Sequence, residues 1–336
     1  MSEQHVALYR KYRPQTFSDV VGQEQIVTLL EKTVKENKPN HAYLFCGGRG
    51  TGKTTVARIF AHLIGCNPED IIEIDAASNR GIDEIRELRD AVRTSPFSSP
   101  YKVYIVDEAH MLTKEAANAL LKTLEEPPSH VIFILATTDP EKLPATIVSR
   151  CQKILFKQPR LEVLSEHLVA IASKEGKKLS EISARIIAAH GKGSYRDALG
   201  ALEQVLSVDD KTISDERVMA LLGTPEKQHL LTLLEAVCEK DAKKIAKVAA
   251  SLEKGSSSAL GSYDDFIDTV RTGLLVRIGE LTTENESLTK LATAYPLIIG
   301  SKLVLELLEK RHLIEVSNAH SWVAFEAILL STIESE

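Results

Sequence analysis

A chain of 336 residues with 43% hydrophobic side chains is too long for one comfortable core, so two or three domains are expected. The net charge of −6 excludes nonspecific nucleic-acid binding through sheer positive charge and leaves room only for a local basic track. Apolar runs such as Val131–Ala136 are far too short to span a bilayer, and the polar, basic start from Met1 to Arg13 gives no secretory signal.

The acidic excess falls after residue 223, so a polyanion is expected to meet the first two thirds. Four cysteines (Cys46, Cys66, Cys151, Cys238) without paired spacing suggest reduced thiols in a cytosol.

In chain order, Ala42–Cys46 reads as a short apolar strand feeding a glycine loop, and Thr54–Ile64 as a helix. Ile71–Ile74 reads as a strand, Ile82–Val92 as a helix and Val103–Val106 as a buried strand. Glu115–Leu124 is a helix stopped by Pro127-Pro128, and Val131–Ala136 a continuous apolar strand. This alternation predicts an α/β fold, a parallel sheet with helices on both faces.

From Leu161 the strand pattern fades. Leu161–Lys174, Ser180–His190 and Ser194–Leu206 show helical periodicity, with Ile182, Ile186 and Ala189 on one face. Gly191 and Gly193 break the chain before Ser194, and Thr224-Pro225 marks a further boundary. Helices follow at Lys227–Cys238, Ala242–Leu252, Tyr263–Leu281, Leu288–Ala294, Ser301–Lys310 and near Trp322–Ile333, with a flexible loop at 255–258. Three domains result: residues 1–160, 161–223 and 224–336.

Residues 47–54 read Gly47-Gly48-Arg49-Gly50-Thr51-Gly52-Lys53-Thr54 and fit the phosphate-loop pattern. Such glycines let backbone N–H groups turn toward phosphates, and the next helix adds its N-terminal dipole. Lys53 is expected on the β and γ phosphates, and the Thr54 hydroxyl on Mg²⁺. Asp107 ends a buried strand, where it meets the metal through water, and Glu108 beside it orients and deprotonates the attacking water. Thr137 and Thr138 end the next strand, where a hydroxyl reaches the γ phosphate or that water, or simply turns the chain before Asp139-Pro140. Arg150, after a loop, and Arg196, opening a helix, read equally as surface arginines.

Longer strings occur in order: ALYRKYRPQTFSD at 7–19, Val21-Gly22-Gln23, GGRGTGKTT at 47–55 ending in Thr55, EIDAASNRG at 73–81, VDEAHML at 106–112, NALLKTLEEPP at 118–128, LATTDPEKLP at 135–144, SRC at 149–151 and GSYRDAL at 193–199. In these the chain resembles the gamma/tau subunits of bacterial DNA polymerase III, the ATPases of the sliding-clamp loader. The resemblance is dense over residues 1–223 and weak beyond. It implies an AAA+ P-loop module, a small helical lid over 161–223 and an all-α oligomerisation collar over 224–336. It casts Thr138 as a polar sensor, Arg150 as an arginine finger serving a neighbouring subunit, and Arg196 as the lid-domain sensor. Tyr12, Pro14, Val21 and Gly22 would flank adenine.

The implied activity is ATP hydrolysis, with no polymerase site of the chain's own. ATP binding would open the clamp and grip primed DNA, and hydrolysis would release both. The implied cofactors are ATP and Mg²⁺. The implied partners are delta and delta-prime type subunits, further copies of this chain, the clamp and primed DNA, in the cytoplasm at replication forks and with no membrane. Arg80, Arg86 and Lys122 are DNA-contact candidates. Rival readings are an ATP-binding assembly scaffold with little turnover and a homo-oligomeric remodeller of branched DNA.

Two departures stand out. Family members usually carry a zinc-binding cysteine cluster after the first helix. Here Cys66 stands with only His62 nearby, where a structural site needs four ligands, so no zinc is expected. The chain ends at Glu336, which resembles the family's short form or a truncation of the long one.

Overall fold

Five parallel strands define the first half: β1 Ala42–Cys46, β2 Ile71–Asp75, β3 Lys102–Asp107, β4 Val131–Thr137 and β5 Gln152–Leu155, in the order β2-β3-β4-β1-β5. The computed structural model of the chain describes residues 6–78, 91–207, 213–222, 227–255, 258–281 and 285–334. Arg80, Arg86, most of the predicted helix Ile82–Val92 and the Thr224-Pro225 boundary lie outside them.

The helices of this part are α1 Leu8–Lys11, α2 Glu24–Glu36, α3 Lys53–Leu63, α4 Lys114–Glu125, α5 Ala145–Val148, α6 Leu161–Lys174, α7 Glu181–His190 and α8 Tyr195–Leu206. Alternation along the strands sorts the core into two layers. Tyr43 and Phe45 of β1, with Ile132 and Ile134 of β4, face α2 and α3 through Ile26, Leu30, Val56 and Phe60. Leu44 and Cys46, with Phe133 and Leu135, face α4 through Ala116, Leu120 and Leu124. Every residue of β1 and β4 is buried, which their unbroken apolar runs predict. Both faces of the sheet are therefore covered, as the strand–helix alternation predicts.

Several elements escape the sequence analysis, among them the short helices α1 and α5. β5 is a four-residue edge strand in which only Ile154 is buried. α2 also escapes it; that helix ends at Asn37 in the left-handed region (φ 49°), a position asparagine tolerates. The predicted face of α7 is also corrected. Ile182 is 59% exposed, while Ser183, Ala184, Ile187 and Ala188 are buried. Small side chains there let α7 pack closely on α6, so close approach outweighs the larger apolar positions.

The chain divides into two compact units, Met1–Ser214 and Asp215–Glu336. The second is helical: α9 Asp215–Leu222, α10 Lys227–Cys238, α11 Ala242–Gly255, α12 Ala259–Arg277, α13 Glu286–Ala294, α14 Ser301–Val316 and α15 Ser321–Glu334. Its core centres on Leu234, Tyr263, Phe266, Leu307, Phe325 and Leu329. The Tyr263 hydroxyl donates to the Leu307 carbonyl at 2.9 Å, which satisfies its polar end inside that core. Arg311 forks onto Asp264 at 2.7 and 3.0 Å.

Candidate active site

The loop from Gly47 to Gly52 joins β1 to α3. Gly52 caps α3 at φ +100°, a conformation that costs a side-chain residue dearly. Gly50 sits at φ +70°, and a Cβ there would overlap Ser194 Oγ. The Gly50 carbonyl accepts the Tyr195 N–H at 3.0 Å, so the start of α8 rests directly on the loop. Ser194 caps that helix by accepting the Asp197 N–H at 3.2 Å. Lys53 is buried and donates to the Gly47 and Gly48 carbonyls, each at 2.8 Å. Burial pulls its pKa below the usual lysine value, against the pull of Glu108 and Asp107.

At the ends of β3 and β4 the predicted acid and hydroxyl groups meet. The Thr54 hydroxyl donates to Asp107 Oδ2 at 2.7 Å, and Asp107 Oδ1 accepts the Glu108 N–H at 3.0 Å. Glu108 adopts the left-handed region (φ 48°), which turns its carboxylate from the strand toward Thr138. Thr138 Oγ1 donates to Glu108 Oε2 at 3.2 Å. His110 Nδ1 lies 3.0 Å from Thr137 Oγ1 and 3.5 Å from Glu108 Oε2. Thr137 is fully buried and also accepts the Asp139 N–H at 3.0 Å. Thr54 and Asp107 form a hard-oxygen pair that fits Mg²⁺ in ligand type.

A cleft of about 890 Å³ opens beside these groups. Its walls include Arg49 to Thr55, Asp107 and Glu108 on one side, with His167, Tyr195, Arg196 and Leu199 on the other. Tyr9, Arg10, Tyr12 to Pro14, Asp19 to Val21, Val56 and Arg58 also line it. Arg196 stacks over the Tyr9 ring, 5.5 Å from its centroid. Tyr12 donates to Glu175, which also pairs with Lys11 at 2.7 Å. Tyr195 donates to the Val21 carbonyl at 2.8 Å and meets His167 edge-on at 5.7 Å. Burial lowers the His167 pKa, with Lys174 adding to the effect, and so favours neutral imidazole.

The predicted residues therefore separate. Arg49 to Thr55, Asp107, Glu108, Tyr12, Pro14, Val21 and Arg196 share the cleft, Gly47 and Gly48 carry the carbonyls that hold Lys53, and Thr138 bonds to Glu108. Gly22 (φ +73°) lies behind Tyr195, whose hydroxyl a Cβ would approach to 2.8 Å. Arg150 stands elsewhere, bonded to Glu125 Oε1 at 2.7 Å and the Thr146 carbonyl at 2.8 Å. Lys122 is exposed on α4, opposite its buried face. Sequence reasoning overlooked Arg13, Arg58, His110 and His167. Arg13 sits within the KYRP string and His110 within VDEAH, so two of these four had a local signal. Arg58 and His167 are placed only by tertiary structure.

The family described as DNA polymerase III, delta subunit, matches residues 22–78 and 67–160. The gamma subunit of DNA polymerase III from Buchnera aphidicola (subsp. Acyrthosiphon pisum) is 40% identical over 263 residues, covering 70% of this chain and 72% of that one. The chain belongs to the DNA polymerase III gamma/tau family. The tau subunit of Bacillus subtilis is 40% identical over 292 residues, and that of Escherichia coli 40% identical over 259. These matches span 52% and 40% of the two tau subunits, so this gamma/tau chain aligns with about half of such relatives or less. Among solved structures, the Thermotoga maritima RuvB Holliday junction branch migration motor superposes with a TM-score of 0.54 at 21% identity. It covers 72% of this gamma/tau chain and 85% of RuvB. That likeness shows the fold alone, an AAA+ P-loop module followed by helices.

Proposed function

We propose that this gamma/tau chain is an ATPase motor subunit of a bacterial sliding-clamp loader. The observation that carries the reading is the hydrogen-bonded chain Thr54–Asp107–Glu108–Thr138, whose first three members line the cleft. When bound, Mg²⁺ would be held by Thr54 and Asp107 and would neutralise phosphate charge. Lys53 and the loop N–H groups position the phosphate chain. Glu108 accepts a proton from the attacking water while the Thr138 hydroxyl fixes its carboxylate. Arg196, projecting from α8, binds phosphate within the same subunit, and Arg150 completes a neighbour's site.

Residues 161–223 act as lid and residues 224–336 as collar. In the assembled loader, copies of this chain join delta and delta-prime type subunits. ATP binding holds the clamp open on primed DNA, and hydrolysis releases it. Lys122, with Arg80 and Arg86, belongs to the DNA track. Cytoplasmic residence suits four free thiols.

The test is ATP turnover by the chain alone and with clamp, companion subunits and primed DNA. Turnover should rise by at least tenfold in the complete mixture. Equal, near-zero turnover in a confirmed full assembly would favour an ATP-binding scaffold instead.

A further inference from the structure

Helix α4 ends on Glu125, and Glu126 with Pro127-Pro128 stops it there. A carboxylate at a helix C-terminus faces the negative end of the helix dipole, so α4 by itself gains nothing from Glu125. Arg150 offsets that charge. Its Nη2 donates to Glu125 Oε1 at 2.7 Å, and its Nη1 donates to the Thr146 carbonyl at 2.8 Å. Thr146 lies in the one-turn helix α5, whose Ile147 shares a buried cluster with Leu120 and Leu124 of α4. The two groups that hold Arg150 therefore sit on elements joined through the core.

An exposed ion pair adds little to stability, and this one is partly exposed, the Arg150 side chain at 34% and the Glu125 side chain at 49%. Its effect is on geometry. A long arginine side chain loses much rotamer freedom when it is fixed. Acceptors on two elements remove that freedom before any ligand arrives. A guanidinium also carries more donors than these two bonds use. The rest have no acceptor among the described residues. The anchored side chain thus keeps donors for an anion, and it does not line the chain's own cleft.

We infer that Glu125 is a positioning residue for phosphoryl transfer in a neighbouring subunit, where it holds the Arg150 guanidinium ready for that subunit's phosphates. This rests on the reading of Arg150 as an arginine supplied in trans. Glu125 itself touches no nucleotide. Its loss is therefore felt in hydrolysis at saturating ATP and not in the ATP affinity of the chain that carries it.

The experiment measures hydrolysis at saturating ATP in the assembled loader with clamp and primed DNA. It compares wild type, Glu125→Ala, Glu125→Gln, Arg150→Ala and the Glu125→Ala/Arg150→Ala double variant, with ATP affinity and melting temperature of each chain alongside. Glu125→Ala should lower turnover about 3- to 30-fold, the scale of the rotamer freedom an unanchored arginine regains, with its own ATP affinity near wild type. Glu125→Gln keeps an acceptor without the charge and should lose less. On the Arg150→Ala background, Glu125→Ala should change nothing further, whereas a residue that only stabilised α4 would add its own loss. Dilution locates the effect. As Glu108→Gln chains are added, turnover per Glu125→Ala chain should rise, because its neighbours then carry an anchored arginine. Wild-type or raised turnover in Glu125→Ala, an additive double variant, or no rise on dilution would overturn the inference, while a defective Arg150→Ala would keep the trans reading. Unchanged turnover in Arg150→Ala would overturn that reading, and this inference with it. Should Glu125→Ala fail to fold or assemble, Glu125→Gln decides, and wild-type turnover there would overturn the anchor.

Discussion

The hydroxyl of Thr138 donates to Glu108 Oε2 across 3.2 Å, joining the end of β4 to the turn after β3. A carboxylate on a left-handed turn would otherwise swing freely about its side-chain torsions. With Thr138 on one oxygen and His110 within 3.5 Å of the same oxygen, its orientation is set before water arrives. Glu108→Gln should keep nucleotide affinity and slow hydrolysis by about 10²- to 10⁴-fold, the usual worth of a positioned base. Thr138→Val should slow it less, by about 10- to 100-fold, since it removes one hydrogen bond to a charged group. Lys53→Ala should instead weaken binding itself. Single-turnover rates on saturated protein separate these effects, and an unchanged rate in Glu108→Gln would remove it as the base.

Much of this site was legible because its parts lie in contiguous strings. The phosphate loop needs its glycines in one run, and Asp107 and Glu108 must end a buried strand. Thr138 was legible for the same reason, one residue past β4. Arg58 and His167 were not, because no local string sets either apart from a surface side chain. Their convergence depends on how Tyr9–Pro14 crosses from α8 to α3. The sheet was legible in the apolar runs of β1, β3 and β4 and illegible at β5, where Lys153 and Leu155 are exposed and Gln152 is only partly buried. On α7, periodicity gave the helix and misplaced its buried face.

Asp70 supplies a prediction about stability. Its side chain is 1% exposed, and it accepts the N–H groups of Phe97 at 2.6 Å and Ser98 at 3.0 Å. Burial alone would raise its pKa, but the backbone donors of Ser98 and Phe97 outweigh burial and hold it below the usual range. A carboxyl depressed on folding stabilises fully above its unfolded pKa, about 3.9, and loses that contribution as pH falls through the lower folded value. Asp70→Ala should cost about 1–3 kcal/mol at neutral pH by orphaning two donors. The gap in melting temperature between wild type and variant should narrow below about pH 4. A gap that stays constant down to pH 2 would count against the ionised carboxylate as its source.

Cys66 bears on metal content. Its thiol is buried, donates to the Tyr101 carbonyl at 3.3 Å, and has its pKa pushed up to about 12 by burial. Zinc binds the thiolate, which this environment disfavours. Nearby His62 turns Nδ1 to the Cys66 carbonyl, 3.1 Å away. Elemental analysis of protein purified without added metal should give far less than one zinc per chain. A chelator should leave the melting temperature unchanged. About one tightly held zinc per chain would refute this.

Arg150 is bonded within its own chain to Glu125 and to the Thr146 carbonyl, with its side chain about one-third exposed and outside the cleft walls. A guanidinium anchored there cannot neutralise phosphate in its own site without leaving both partners. The role proposed for it is in a site that another subunit brings to it. Arg150→Ala should therefore leave the variant's own ATP affinity nearly intact. Turnover in the assembled loader should fall by about 10³-fold or more, the scale seen for arginines supplied in trans. Mixing decides between the two arrangements. In assemblies of Glu108→Gln and Arg150→Ala chains, an Arg150→Ala chain keeps its base and can receive an intact arginine from a Glu108→Gln neighbour. Turnover should then recover in part and peak at intermediate ratios. If it never recovers, despite confirmed co-assembly, Arg150 acts within its own subunit, and hydrolysis is not gated by assembly through this residue.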